Sequence, residues 1–463
     1  MPNDTRAVLG QNAEKCDSRS LLFDRFAEPE VDGDHRRIWF RRVIDKPAIT
    51  LKSASWLPVA RSVAPIPGSV LHAQLQSRLM INMAGGVMEN AGLCLDRFGV
   101  PYIPGSAVKG CARRAATQAL VDEASRSRKA ALLSDIALVF GWGDTDWKSG
   151  RKRRRQGDRG IETEPCSDFW WAMALDTGDG VGDDMRRQEI WQEVARTAAR
   201  SLLDHLRFAK REHLEEPWRD LPNFAGSIAF LPAYPADIGR IGQVVEDLPL
   251  EVPALGKLEL DVVTCHHHDY YEERLEIATD TEEPNPVVFP AVAPGHVFTF
   301  AVAPLRAANA DLGWQARSWL QTGLETFGLG AKTNAGYGWF KDVSEDLERA
   351  RTAEIRRQVE EAMLRREAEA RAVALAALQP DPSYLCYLRS LKEADLRGQI
   401  NAYAPDDRFW TEKDERKQLA VLHFLIEDAP SLFSTDRANA KSKIAKAIKQ
   451  LQLKFPGLGP NVP

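Results

Sequence analysis

The sequence predicts an α+β fold, on three observations. Strand-like runs and helical stretches are interleaved rather than segregated. With a long insertion at about Trp142–Asn223 set aside, the order reads strand, helix, strand, strand, strand, helix, strand. From about Ser344 the composition turns to Ala, Glu and Arg with no further strand signal. That order is close to β-α-β-β-α-β with an extra hairpin arm, a ferredoxin-like arrangement, followed by an all-α extension. The expected divisions are a polar N-terminal arm (1–35), a core (36–343) carrying the insertion (about 142–223), a long charged helix (344–379) and a small helical module (380–463).

Taken in order, residues 1–35 read as a loosely ordered polar arm and Arg37–Val43, with Ile-Trp-Phe set among arginines, as a strand. Ser69–Met83 is a second strand or extended ribbon. Ser106–Glu123 is a helix in which Pro104-Gly105-Ser106 supplies the break and the N-cap. Lys129–Phe140 is a second helix, stopped at Gly141. The insertion holds a polar loop, a strand-like Phe169–Leu175 and a helix near Asp184–Lys210. Strands resume at Gly226–Pro232, Lys257–Thr264 and His296–Ala303. Leu312, Ala316, Trp319, Leu320, Gly323, Leu324 and Phe327 recur at helical spacing, so Asp311–Phe327 is a helix with Gly328 just past its end. Tyr337–Val343 is the last strand. Ser344–Leu378 carries Glu361/Arg365 and Glu367/Arg371 at i,i+4 and reads as a long exposed helix, broken by Gln379-Pro-Asp-Pro382. The final helix sets Lys441, Lys443, Lys446 and Lys449 beside Ile444, Ile448 and Leu451.

With 463 residues, 44% hydrophobic and 27% charged, there is chain for roughly three domains and a sizeable core. The formal net charge of -5 gives no global signature of nucleic-acid binding, so such binding has to use local patches. Cys16, Cys94, Cys111, Cys166, Cys265 and Cys386 lie far apart without a CxxC pair, which points to reduced thiols and a cytoplasmic protein. No apolar run approaches the ~20 residues of a membrane span, and the polar first residues have no signal-peptide core.

Two segments carry chemistry. In Phe327-Gly-Leu-Gly-Ala-Lys-Thr-Asn-Ala-Gly-Tyr-Gly338 the glycines at 328, 330, 336 and 338 bracket Lys332, Thr333 and Asn334. Glycine permits positive φ and close backbone approach, and N–H groups beside a lysine suit phosphate, although a generous turn explains the run equally well. In Pro104-Gly105-Ser106 a rigid turn delivers a helix start, whose N–H groups and dipole favour anions. Lys109 and Arg113 share one face of that helix, with Arg114 beside them. Spacing alone describes either a phosphate cradle or a solvated basic face.

Together the segments are more specific. Ile103-Pro-Gly-Ser-Ala-Val-Lys-Gly110 with Arg113 resembles the "PGSS-x-KG-x-x-R" segment of the RAMP superfamily of CRISPR RNA-binding proteins, and residues 328–338 resemble that superfamily's glycine-rich C-terminal loop. Phe140-Gly141, Gly226–Pro235 and Leu260–Tyr271 look like the sixth RAMP subunit of type III-B (Cmr) effectors. The resemblance covers about Arg37–Val343, only loosely through the insertion, and departs at Ala107, where many relatives have a second serine. It implies a ferredoxin-like, RRM-related RAMP core and a non-catalytic structural subunit that caps the backbone filament near the 3′ region of the guide RNA. Implied partners are the guide RNA, target RNA through the complex, and the backbone RAMP, terminal RAMP and small helical subunits. Implied RNA contacts are Ser106, Lys109, Arg113, Arg114, Lys332, Thr333 and Asn334, with Gly105, Gly328, Gly330, Gly336 and Gly338 shaping the backbone.

The run Lys148, Arg151, Lys152, Arg153, Arg154, Arg155 is the strongest local charge patch. It is expected to make weak, salt-sensitive contacts to guide or target phosphates, the plain alternative being a solvated loop. No cofactor or metal is expected: successive histidines of a strand at His266–His268 would point to opposite faces. Trp142, Trp147, Trp170 and Trp171 are candidates for base stacking, the last two also fitting a core. Asp96, Asp135 and Asp261 are scattered acids. An endoribonuclease acting on guide precursor or target RNA through Asp96 or His268 is the alternative function.

Overall fold

The computed structural model describes residues 15–26, 33–48, 56–64, 69–82, 92–148, 152–154, 161–163, 167–173, 183–208, 216–236, 252–278, 285–305, 310–392, 413–429 and 443–455. Arg151, Arg155 and Lys441 lie outside them. The chain divides into two compact units, Met1–Ala353 and Glu354–Pro463.

The first unit opens with helices where the sequence suggested an arm and a strand. Helix α1 (Arg19–Asp24) is capped by Ser18, whose side chain accepts the Leu21 N–H, and it buries Leu22 and Phe23 completely or nearly so. Helix α2 (Gly33–Asp45) replaces the strand expected at Arg37–Val43. Phe40 and Val43, three apart, are both buried in the main core, and the Arg36 guanidinium lies 5.1 Å from the Phe40 ring centroid, a helical i,i+4 contact. Helix α3 (Trp56–Val63) follows.

The centre is an antiparallel sheet built from β1 (Val70–Leu75), β2 (Ile228–Phe230), β3 (Tyr234–Pro235), β6 (Val297–Pro304) and β7 (Phe340–Asp342), with β4 (Leu258–Cys265) and β5 (Asn285–Val292) forming a separate antiparallel hairpin. Its order is β7-β1-β6-β2, with β3 also pairing β6. Helix α4 (Gly105–Asp122) and helix α5 (Arg126–Phe140) lie in sequence between β1 and β2. Helix α6 (Asp183–His205) belongs to the insertion, and α7 (Ala310–Thr326) connects β6 to β7.

Strand β6 is buried on both faces, as a central strand must be when both sides are covered. Phe298, Phe300 and Val302 point into the main core with the α4 and α7 residues Val108, Ala112 and Trp319. Phe298 and Phe300 each meet Phe340 edge-on, at 5.9 and 5.7 Å. On the opposite face Ala301 and Ala303 pack against Ala60 and Ala64 of α3 and its following turn. The two central helices approach closely because residue 323 is glycine: a Cβ there would sit 2.6 Å from the Cys111 carbonyl oxygen. Hairpin β4–β5 is tied to the chain after β1 by reciprocal backbone bonds between Leu79 and Val292, 3.1 and 3.0 Å.

The insertion folds around aromatic residues. Trp142 stacks on Phe169 (5.0 Å) and meets Trp147 (4.5 Å), which in turn contacts Trp218 (5.8 Å) and Trp191 (6.3 Å). Where a strand was expected at Phe169–Leu175, residues Phe169–Trp171 belong to a short helical turn, Asp168–Trp171, capped by Ser167, while Ala174 and Leu175 lie outside the described residues.

His296, just before β6, is 1% exposed. Its Nδ1 lies 2.7 Å from the Ala293 carbonyl, and its Nε2 accepts the Gly256 N–H at 3.1 Å, which fixes the neutral Nδ1–H tautomer. Burial lowers its pKa below the ordinary 6.5, with Arg19 and Lys257 adding to the effect and backbone carbonyls opposing it. In the unfolded chain the ring protonates near pH 6.5, so the unfolded state binds the extra proton first and stability falls as pH drops through that value toward the folded pKa. We expect the urea midpoint to fall between pH 7.5 and pH 5, and His296→Gln to show a flatter dependence over the same interval. Parallel pH dependences would rule out this assignment.

In α8 (Ser344–Ala376) the start is fixed by the Ser344 hydroxyl, which accepts the His72 N–H at 2.9 Å. The second unit contains α9 (Pro382–Ser390), capped by Asp381, α10 (Glu415–His423), capped by Asp414, and α11 (Lys443–Lys454). Leu388, Val421, Phe424 and Leu425 form one small core, and Leu419, Leu422 and Phe455 another. No helix among the described residues is long and apolar enough to cross a membrane.

Candidate nucleic-acid interface

Helix α4 begins one residue earlier than expected. Pro104 is the N-cap, and Gly105 and Ser106 form the first turn, so Ser106 is exposed inside the helix rather than capping it. Pairing between Ile103 and Ala233 (2.8 and 2.9 Å) holds the approach to this turn. Of the leading N–H groups of this turn, that of Ala107 donates to the Pro104 carbonyl at 2.9 Å, and Gly105 lies close against the Phe230 carbonyl, where a Cβ would overlap the oxygen.

The three cations of α4 separate. Lys109 donates from Nζ to the Phe140 carbonyl at 2.6 Å, closing the end of α5, and burial, then the neighbouring Arg113, hold its amine below the usual lysine range. Arg113 pairs with Asp146 at 3.0 Å and lies 4.9 Å over the Phe169 ring. Both therefore hold contacts with α5 and the insertion while staying half-buried. Arg114 is exposed and lies 4.6 Å over Phe327, the residue before the glycine loop. Cys111 Sγ approaches the Gly328 carbonyl at 3.7 Å. The structure thus brings the two sequence segments together through Cys111 and Arg114.

The loop is a folded object rather than a row of bare N–H groups. Leu329 N–H donates to Gly338 O (2.8 Å), Ala331 N–H to Met80 O (2.9 Å) and Gly338 N–H to Arg78 O (2.8 Å). Gly330 and Gly338 have φ of +102° and +68°, and a Cβ at either would overlap a carbonyl oxygen, of Met80 or Leu329 respectively. Lys332 is itself left-handed at φ +57° and opens a 3-10 turn, Thr333–Ala335, closed by Gly336. Lys332 and Thr333 are half-buried and Asn334 is exposed at the turn's crest. The strand expected from Tyr337 starts only at Phe340.

Sequence reasoning missed the clamp beside this loop. Tyr337 donates its hydroxyl to Asp261 at 2.6 Å, and Arg78 bridges Glu259 and Asp261 at 3.1 Å each. Against the cost of partial burial, Tyr337, the Val262 N–H and Arg78 pull the Asp261 pKa down, while burial and Asp261 push Tyr337 up to about 12. A tyrosine between two loop glycines was the available signal.

Elsewhere, Lys152–Arg154 is a strand paired antiparallel with Ile161–Thr163, not a loop. Lys148 is half-buried, and its carbonyl accepts the Ser167 N–H at 2.9 Å. Trp142 and Trp170 are core residues, while Trp171 is 55% exposed. His266 and His267 lie past the end of β4, and His268 starts a short helix, so strand alternation does not govern them. Asp96 closes its own turn, accepting the Phe98 and Val100 N–H groups at 2.8 and 2.9 Å.

A sequence profile of the RAMP superfamily matches residues 73–341, which includes α4, most of the sheet and the glycine loop. The chain belongs to the RAMP superfamily. This RAMP protein is 26% identical over 270 residues to the CRISPR system Cmr subunit Cmr6 of Pyrococcus furiosus, a match spanning 57% of this chain and 64% of that relative. Less than two thirds of that relative's length is therefore spanned. Among solved structures, a cryo-EM structure of the type III-B Cmr-beta bound to cognate target RNA aligns at 16% identity, covering 67% of this chain and 72% of that one, with a TM-score of 0.31. The crystal structure of Cmr6 from Pyrococcus furiosus aligns at 21% identity over 59% of this chain and 97% of that one, with a TM-score of 0.25. Membership of the RAMP superfamily rests on the profile match.

Proposed function

We propose that this chain is a non-catalytic, guide-RNA-binding structural subunit of a type III-B (Cmr) CRISPR effector, capping the filament of backbone RAMP subunits near the 3′ region of the guide. The observation that carries this reading is the meeting of the α4 segment with the glycine loop, where Arg114 lies over Phe327 and Cys111 approaches Gly328. The order β7-β1-β6-β2 supports a ferredoxin-like, RRM-related core beneath them. RAMP membership and the similarity to Cmr6 support the assignment to a Cmr complex. An exposed arginine, a lysine on a glycine-shaped turn and a helix start contact phosphate without reading bases, as a subunit holding guides of any sequence requires. Guide RNA, target RNA through the complex, and the other Cmr subunits are the partners, in the cytoplasm. RNA cleavage belongs to partner subunits, which fits an Asp96 carboxylate engaged by its own turn.

The test is Arg114→Glu combined with Lys332→Glu in the reconstituted complex. Guide retention should fall about tenfold or more, and the salt dependence of RNA binding should lose about 1.4 in slope, near 0.7 for each lost single-strand phosphate contact. Undiminished retention at fixed salt would remove the proposed interface. Cleavage of labelled RNA by the purified chain, abolished by Asp96→Asn, would overturn the non-catalytic assignment.

A further inference from the structure

We infer that the tip of the β4–β5 hairpin is a protein-docking surface, whose exposed tyrosine pair enters an apolar recess rimmed by lysine and arginine on a different subunit. The inference rests on the reading above that the chain is one subunit of a larger complex.

Strands β4 and β5 pair to their ends, Cys265 opposite Asn285, so the residues after Cys265 form the hairpin's tip. There Tyr271 and Ile277 keep 71% and 73% of their surface exposed, and Tyr270 and Leu275 are exposed as well. Large apolar side chains gathered on one short exposed segment mark an interaction site, and tyrosine is enriched in interfaces. The tip is a folded object. Tyr270 and Tyr271 meet edge-on with centroids 5.6 Å apart. The Tyr271 N–H donates to the His267 carbonyl at 3.1 Å, and the N–H groups of Arg274 and Leu275 both donate to the Asp269 carbonyl, at 2.8 and 3.2 Å. Those bonds bring the Leu275 backbone against the start of the tyrosine turn. The arm beneath is fixed too. Arg36 of α2 donates to the Val288 carbonyl at 3.0 Å, Tyr337 bonds Asp261, and Phe289 and Ala291 are buried beside Met80 and the glycine-loop residue Ala331. A surface held in this way loses little conformational freedom on docking.

Charge selects the occupant. Asp269, Glu272, Glu273 and Glu276 surround the exposed rings in sequence, and Arg274 is the one basic residue from Asp269 to Ile277. Its guanidinium is already paired, with Asp269 at 3.1 Å and with Glu272. The tip is therefore negative and repels phosphate, the reverse of the glycine loop with Lys332 and of the exposed Arg114. The end of β4 at Cys265 lies four strand residues beyond the Asp261 clamp, about 13 Å at the rise of a β-strand. Both stacking of bases on the tyrosines and attraction to RNA would need cations that this segment lacks. A protein surface with an apolar recess and a basic rim takes up the rings and answers the carboxylates together.

The experiment measures the affinity of the full chain for the complex assembled without it, by surface plasmon resonance across a salt series. Tyr270→Ala/Tyr271→Ala should weaken binding about tenfold or more, chiefly through faster dissociation. Glu272, Glu273 and Glu276 changed together to Lys should slow association and abolish its acceleration at low salt. Thermal melting of each variant should match the wild type, because the altered side chains are exposed. RNA retention by the isolated chain should also be unchanged, unlike that of Arg114→Glu/Lys332→Glu. A photo-reactive benzophenone side chain at position 277 should cross-link, in the reconstituted complex, to a lysine- and arginine-rich surface of another protein. Cross-linking to RNA, or loss of RNA by the tyrosine variant, would overturn the docking surface in favour of base stacking. Cross-linking to a second copy of this chain would overturn it in favour of self-association. Wild-type affinity in both variants would overturn it and leave the proposed function standing. Failure of the wild-type chain to join the complex would overturn the proposed function and this inference with it.

Discussion

Gly338→Ala is expected to destabilise the first unit by about 3 kcal/mol and to release the glycine loop from the sheet. Left-handed backbone at a non-glycine residue costs roughly 1–2 kcal/mol, and Gly338 has φ +68°. The added Cβ would also overlap the Leu329 carbonyl, so the backbone must shift. That shift breaks the pair of bonds that Gly338 makes, to Leu329 N–H and to Arg78 O, both 2.8 Å, each worth about 1 kcal/mol. Gly336 is the control. It has φ +92° but open space where a Cβ would go, so Gly336→Ala should carry only the conformational term. Urea denaturation compares the two, and amide exchange at Leu329, Ala331 and residue 338, whose N–H groups make the loop's bonds, reports detachment. RNA retention should fall in Gly338→Ala because Lys332 and Asn334 lose their fixed positions. Equal destabilisation by the two substitutions would show that close approach is not why residue 338 is glycine.

The same contrast explains what the sequence reveals about this protein. Helices α4 and α7 are legible because their apolar residues recur at the helical period over four or more turns, and the loop is legible because four of its positive-φ positions are glycine. Arg37–Val43 misleads because a seven-residue window of aromatic and β-branched residues fits either period; tertiary packing of Phe40 and Val43 decides for the helix. Strand β5 escapes detection because Pro286 and Pro290 argue against a strand. A two-stranded hairpin accommodates them, Pro290 standing opposite Leu260 and Pro286 opposite Thr264. For the site, spacing places Lys109 and Arg113 on one face of α4 but cannot say what lies opposite that face. Their partners, Phe140 and Asp146, stand about thirty residues away, in the end of α5 and in the insertion.

That distinction makes Arg113→Ala the second informative substitution, with an expected loss of about 2 kcal/mol. The Arg113–Asp146 pair is only partly shielded, with side chains 36% and 16% exposed, so its value lies between that of a surface pair and the 3–5 kcal/mol cost of breaking a buried one. The Phe169 ring under the guanidinium loses its cation as well. Asp146 keeps its bond from the Gly143 N–H (2.9 Å), so it stays in place with an uncompensated charge. Arg113→Lys should rescue little, because an ammonium cannot both reach Asp146 in the guanidinium geometry and lie flat on Phe169. A double-mutant cycle with Asp146→Asn should return a coupling of about 1 kcal/mol or more. Any fall in RNA retention in Arg113→Ala would then follow loosening of the insertion, whereas Arg114→Glu should reduce retention with stability unchanged to within about 0.5 kcal/mol. If Arg113→Ala instead kept its stability and still shed RNA at fixed salt, Arg113 would be a phosphate ligand and its contacts with Asp146 and Phe169 would be those of the RNA-free chain alone.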